Sequence, residues 1–154
     1  MPIIKKIVHN NAEVFIWEIL EDETTLLNLI DKRLINGIEK LKKEKAKLQW
    51  LASRVLLTQV LDQQNIQFDG SNKDEYGKPF LSNCDWNFSI SHSGNFAALI
   101  ISKDNFIGVD IETKFEQTFR LKEKFSTEKE LNFIGDDDQK SSLIWSAKES
   151  IYKA

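Results

Sequence analysis

The stretch Ile107-Gly108-Val109-Asp110-Ile111-Glu112 constrains this chain more than any other. Ile107, Val109 and Ile111 alternate with Gly108, Asp110 and Glu112, the period-2 pattern of a half-buried strand. One face of such a strand enters a core. The other carries two carboxylates two residues apart, about 7 Å from each other along the strand and pointing the same way. Like charges so placed repel unless a hard cation lies between them. Mg²⁺ prefers oxygen ligands and commonly takes one or two protein carboxylates together with substrate phosphate. An ordinary solvated strand face with two surface acids is the alternative, and the hexapeptide by itself leaves both open.

The rest of the composition narrows the classes. The 154 residues suffice for one domain or two small lobes. Apolar residues make up 41% and charged residues 29%, the balance of a soluble globular chain. A formal charge of −3 provides no general basic field, so nucleic acid is not an expected partner. Anionic ligands would have to be met by a local group of Lys and Arg. No apolar run reaches the ~20 residues of a membrane span, and the N-terminus lacks the order of a secretory signal. Cys84 is the single cysteine, which removes internal disulfides and cysteine-based zinc sites and makes a cytoplasmic location the expectation.

Along the chain, residues 3–8 and 12–19 read as two strands around a turn at His9-Asn10-Asn11. Asp22-Glu23-Thr24-Thr25 offers a helix start, with Leu26, Leu27, Leu29, Ile30 and Leu34 on its apolar face. After Asn36-Gly37, a long helix is expected over residues 38–63. Its stripe is Ile38, Leu41, Leu48, Leu51, Ala52, Val55, Leu56 and Val60, and Lys40, Lys42, Lys43, Lys45 and Lys47 lie on a solvated face. Arg54 falls in the apolar half, where an arginine either snorkels or meets an anion. Residues 67–78 read as a surface loop ending in Tyr76-Gly77-Lys78-Pro79.

Strands at 87–91, 96–102 and 106–112, joined by short turns, predict an antiparallel three-stranded meander. The first ends in Ser91-His92-Ser93-Gly94, whose donors suit phosphate oxygens or an ordinary turn equally. A helix over 127–134 is expected from the capping-box spacing of Thr127 and Glu130. Asp136-Asp137-Asp138 reads as an exposed acidic loop. The final helix, from Gln139 onward, places Trp145, Glu149 and Lys153 on one face. Glu149 and Lys153 are either a surface ion pair worth ~0.3–0.5 kcal/mol or a metal ligand and a phosphate contact.

Four blocks in order resemble the 4′-phosphopantetheinyl transferase superfamily, specifically its two-lobed, surfactin-synthetase-activating type. They are Glu75-Tyr76-Gly77-Lys78-Pro79, Asn87-Phe88-Ser89-Ile90-Ser91-His92-Ser93, Gly108-Val109-Asp110-Ile111-Glu112, and Trp145-Ser146-Ala147-Lys148-Glu149-Ser150-Ile151-Tyr152-Lys153. Arg54, in Ser53-Arg54-Val55-Leu56-Leu57, matches an arginine of the family's N-terminal helix.

The resemblance implies an α+β fold: a lobe over 1–112 with the three-stranded meander packed on the long helix, then the opening helices of a second, similar lobe over 113–154. It implies transfer of the 4′-phosphopantetheine arm of coenzyme A to a serine of an acyl or peptidyl carrier protein. Mg²⁺ is the implied cofactor and adenosine 3′,5′-bisphosphate the by-product. Asp110, Glu112 and Glu149 would be the metal ligands, with Glu149 also placed to accept the serine proton. Lys153 and Lys148 would hold pyrophosphate, His92 and Ser91 phosphate, and Arg54 the 3′-phosphate. Gly77, Lys78 and Pro79 would line the adenine end. Because family members of this type continue past the second motif, a chain ending at Ala154 is expected to be a shortened form. In that form Leu143, Ile144 and Ile151 are exposed and favour self-association. A catalytically inactive fragment that binds coenzyme A or the carrier is the alternative function, and a plain α+β interaction domain a third.

Overall fold

The computed structural model describes residues 3–154. Strands β1 (Ile3–His9) and β2 (Ala12–Glu18) form the expected hairpin. Asn10 and Asn11 have φ of 46° and 61°. Both sit in the left-handed region that a tight two-residue hairpin turn requires and that Asn tolerates. Asp22 caps α1 (Glu23–Leu29) by accepting from the Thr25 amide at 2.7 Å. Two 3₁₀ turns follow, Lys32–Leu34 and Ile38–Lys40.

Helix α2 spans Glu44–Gln63, beginning six residues later than the periodicity predicts. Gly37 enters its 3₁₀ turn at φ 100°, and Leu41 leaves it extended. Residues 40–43 hold three lysines, and like charges three apart on a helix repel. The interior of α2 follows its stripe: Leu51, Ala52, Val55, Leu56 and Val60 are fully buried.

Residues 67–81 are not a plain loop. They contain a short antiparallel hairpin of β3 (Ser71–Lys73) and β4 (Pro79–Leu81). β5 (Asn87–Ser93) and β6 (Phe96–Ser102) form a second hairpin.

The main correction concerns the predicted meander. The sheet has four antiparallel strands in the order β1-β2-β6-β5. Residues 106–112 have no regular secondary structure and join no ladder among the described residues. An antiparallel return from β6 would need a free edge of β6. One edge pairs with β5 and the other with β2, in register from Ala12↔Ser102 to Glu18↔Phe96. Alternation of apolar residues along 107–111 fixes which side is buried. It does not fix the partner, which the N-terminal hairpin reaches instead.

Phe15, Trp17, Phe88, Ala97, Leu99 and Ile101 from the sheet pack with α2 and with Leu26 of α1 in one buried core. The remaining helices are α3 (Phe115–Arg120), α4 (Lys122–Phe125), α5 (Glu128–Ile134) and α6 (Asp138–Lys153). Thr127 and Glu130 make the predicted capping box on α5. Asp137 accepts from the amides of Gln139 and Lys140 and so caps α6, a role beyond that of an exposed acidic loop.

α6 packs on α3 and α5. Thr118 and Ser142 share a buried hydroxyl contact at 2.6 Å, and Phe125 meets Trp145 edge to face with centroids 5.0 Å apart. No described helix is long and apolar enough to cross a membrane.

Candidate functional site

The site forms where three segments meet: strand β5, the irregular run 107–113, and the last turn of α6. Gly108 permits this meeting. A Cβ at that position would lie 1.8 Å from the carbonyl oxygen of Ser150, in the backbone of α6. No real atom pair tolerates that separation, so only glycine lets the helix end come so close. The approach carries Lys153 to Asp110, where Nζ donates to Oδ1 at 2.7 Å. The same ammonium reaches Ser91 Oγ at 3.2 Å and the Val109 carbonyl at 3.3 Å.

Asp110 is the most enclosed acid of the group, with its side chain only 6% exposed. Its Oδ1 also accepts from Ser91 Oγ at 2.8 Å. Its Oδ2 is buried and has no hydrogen-bond partner among the described residues, a state proteins seldom leave uncompensated. Glu112 accepts from Ser93 Oγ at 3.2 Å. Glu149 lies half-buried one turn before Lys153 on α6, and its carboxylate makes no hydrogen bond or ion pair among the described residues.

His92 stands at the solvent edge of β5. Partial loss of solvent, then the nearby Arg54 guanidinium, push its pKa below the ordinary imidazole value. Lys153 acts in the same sense, and Asp110 opposes it. Arg54, Lys153 and His92 thus share one electrostatic neighbourhood. The Arg54 guanidinium stacks on Trp50, 4.0 Å from the ring centroid, and donates to Ser53 Oγ at 2.9 Å. Burial lowers its pKa to about 10, and no carboxylate pairs with it among the described residues. At neutral pH it is a charged, partly desolvated cation aimed at no protein anion, which is the environment an external anion would complete.

Beside this group opens a cleft of about 490 Å³. Gly77, Lys78, Pro79, Phe88, Ile90 and Lys153 are among the residues that line it. Gly77 has φ 85° and supplies the turn that presents Lys78. The Lys78 ammonium contacts the Ala154 carbonyl, and its amide donates to Asp74 Oδ1 at 2.8 Å.

Residues 106–154, which contain two of the three meeting segments, match the 4′-phosphopantetheinyl transferase superfamily. The chain is 37% identical over 111 residues to the 4′-phosphopantetheinyl transferase gsp of Aneurinibacillus migulanus, an alignment covering 68% of this chain and 45% of that protein. It is 33% identical over 127 residues to the L-aminoadipate-semialdehyde dehydrogenase-phosphopantetheinyl transferase of Xenopus laevis, covering 68% and 42% respectively. The chain belongs to the 4′-phosphopantetheinyl transferase superfamily. It spans less than half the length of these curated relatives.

Within this superfamily member, the structure gathers Asp110, Ser91 and Lys153 in direct contact, with His92 and Arg54 beside them. Gly77, Lys78 and Pro79 share the adjoining cleft with Lys153. Lys148 lies elsewhere. Its ammonium pairs with Glu130 at 2.7 Å and donates to the Phe125 carbonyl at 2.5 Å, which ties α6 to α4 and α5. A lysine adjacent to Glu149 in sequence is turned about 100° from it on a helix, so the two face different neighbours.

Among the described residues, no three His, Cys, Asp or Glu side chains are gathered into a metal-holding cluster. The donor chemistry nevertheless suits a hard divalent cation: the acids offer only oxygens, and Asp110 Oδ2 is buried without a partner. Two serines given no role of their own beside the acids in the sequence reading belong to the site, although Ser93 stands in the donor set Ser91-His92-Ser93-Gly94. Ser89 and Ser93 contact the acid-bearing segment directly. The alternation of Ser89, Ser91 and Ser93 along β5 was the available signal, since it places three hydroxyls on one face.

Proposed function

We propose that this chain carries the site of a 4′-phosphopantetheinyl transferase, moving the phosphopantetheine arm of coenzyme A to a serine of an acyl or peptidyl carrier protein. The observation that carries the reading is the contact of Lys153 with Asp110, because it joins the two most specific motif blocks at one point beside a cleft.

In this reading the 1–112 lobe supplies Asp110, Glu112 and most of the cleft lining, and 113–154 is the start of a second lobe that supplies Glu149 and Lys153. Asp110, Glu112 and Glu149 are the residues that would hold Mg²⁺, which when bound offsets the negative charge developing on a breaking pyrophosphate.

The carrier serine Oγ forms a new bond to the β-phosphorus, the one bearing pantetheine. The bridging P–O bond breaks, and its electron pair leaves with adenosine 3′,5′-bisphosphate. In this proposal Glu149 takes the serine proton, directly or through water. Lys153 transfers its ammonium from Asp110 to the pyrophosphate as ligand enters. Arg54, stacked and unpaired, receives the 3′-phosphate, and His92 and Ser91 contact phosphate oxygens. The apolar lining of Phe88, Ile90 and Pro79 suits the adenine end. Lys148 serves α6 packing through Glu130 and joins the phosphates only by leaving that pair. The proposed setting is the cytoplasm.

Mass spectrometry of a carrier protein incubated with this chain, coenzyme A and Mg²⁺ tests the proposal. The expected result is a gain of one phosphopantetheine on the carrier serine, abolished by Asp110→Ala. A second reading rests on the chain spanning less than half of its relatives: the same contacts would serve a non-catalytic binder of coenzyme A or carrier. Coenzyme A binding without any mass gain selects that reading. Coenzyme A affinity unchanged by Asp110→Ala removes both. Leu143 and Ile151 are 62% and 76% exposed on α6 and support self-association through that face, whereas Ile144 is half-buried.

A further inference from the structure

The segment that bears the two acids of β5's neighbour has no main-chain ladder to hold it. Besides the Lys153 contacts, a row of hydroxyls holds it. Ser89, Ser91 and Ser93 alternate along β5 and so project from one face. Ser89 Oγ accepts from the Val109 amide at 3.2 Å. Ser93 Oγ accepts from the Thr113 amide at 3.2 Å, donates to Glu112 Oε2 at 3.2 Å, and lies 3.0 Å from the Thr113 hydroxyl.

A serine hydroxyl has one proton and two acceptor lone pairs. Ser93 can use all three at once: its proton goes to Glu112, and its lone pairs receive the amide and hydroxyl of Thr113. Ser89 is 5% exposed, so its lone-pair contact with Val109 is made away from water. The two serines grip the segment on either side of Asp110 and Glu112, one residue before the first acid and one after the second.

We propose that Ser89 and Ser93 are positioning residues that set the direction of the Asp110 and Glu112 carboxylates. The proposal rests on the reading of those acids as cation ligands. A carboxylate on an irregular segment can rotate with its backbone. Fixing the amides at 109 and 113 removes that freedom, and the proton from Ser93 selects one orientation of Glu112. Hydroxyls that orient ligands in this way typically change metal affinity by about 10–100-fold when removed.

The test compares Ser93→Thr with Ser93→Val, which match in shape and differ in the hydroxyl, together with Ser89→Ala. Mn²⁺ alone is the probe, titrated by electron paramagnetic resonance. Amide exchange at Val109 and Thr113 is followed by NMR in the absence of metal. Ser93→Val is expected to weaken Mn²⁺ binding by about tenfold and to speed Thr113 exchange, while Ser93→Thr retains wild-type values. Ser89→Ala is expected to speed exchange at Val109.

Equal Mn²⁺ affinity for the Thr and Val variants overturns the proposal. So does unchanged exchange at Thr113 in Ser93→Val. Wild-type protein that binds no Mn²⁺, with the exchange results as expected, instead overturns the reading of the acids as cation ligands. The hydroxyl row is judged by the metal-free measurement, so the two failures are distinguishable.

Discussion

Replacing Lys153 with Met tests whether the end of α6 is held to the acid segment by charge. The methionine keeps most of the stem's apolar contact and removes the ammonium. In the structure the charges lie 2.7 Å apart, with the lysine side chain 28% exposed and the aspartate 6%. At an effective dielectric of ~20 the gross attraction is about 6 kcal/mol, most of it offset by the cost of taking both ions out of water. Removing one partner of a fully buried pair costs about 3–5 kcal/mol. The partial exposure of Lys153 brings the expected loss to about 2 kcal/mol.

For a chain of this size that is a fall in melting temperature of about 4–8 °C. Urea and thermal unfolding of wild type, Lys153→Met, Asp110→Asn and the double variant would measure it as a cycle. The expected interaction energy is at least about 1 kcal/mol, because Asp110→Asn removes the charge that Lys153→Met leaves stranded. Additivity within ~0.5 kcal/mol would refute the reasoning. It would mean that the contact contributes nothing beyond packing and does not secure α6 to the site.

Two other predictions follow from neighbouring contacts. Gly108→Ala puts a methyl 1.8 Å from the Ser150 carbonyl oxygen, and backbone cannot yield as a side chain can. The last turn of α6 should separate from residues 107–113, seen as faster amide exchange at Ser150 to Lys153, while the β1-β2-β6-β5 sheet stays protected. Glu130 has its carboxyl pKa pulled down to about 2, first by the Lys148 ammonium and then by the Thr127 amide. The unfolded chain takes up that proton near 4.5, before the folded one does. The pair's stabilisation is therefore complete above about pH 4.5 and fades as pH falls towards about 2. Glu130→Gln should flatten that part of an acid unfolding profile followed by circular dichroism, and an unchanged acid limb would contradict the assignment.

Short-range physics was legible in the sequence. Asn10-Asn11 favours a turn between two β-prone runs, the Asp22 and Thr127 caps are local hydrogen bonds within three residues, and the interior of α2 follows its own apolar period. The ordered motif blocks likewise named Asp110, His92 and Lys153 before any coordinates, since those identities are carried by the chain itself.

Tertiary structure decided whatever depended on competition between distant segments. β6 has two edges and three candidate partners, and the N-terminal hairpin takes the place that alternation suggested for 106–112. Lys148 and Lys153 look equivalent in the motif, but the helix turns one towards Glu130 and the other towards Asp110. Ser89 and Ser93 acquire a role only because the displaced segment lies along β5 without a ladder of its own. Residue type and local spacing limit what each side chain can do; which partner it meets depends on the single packing that satisfies all of them together.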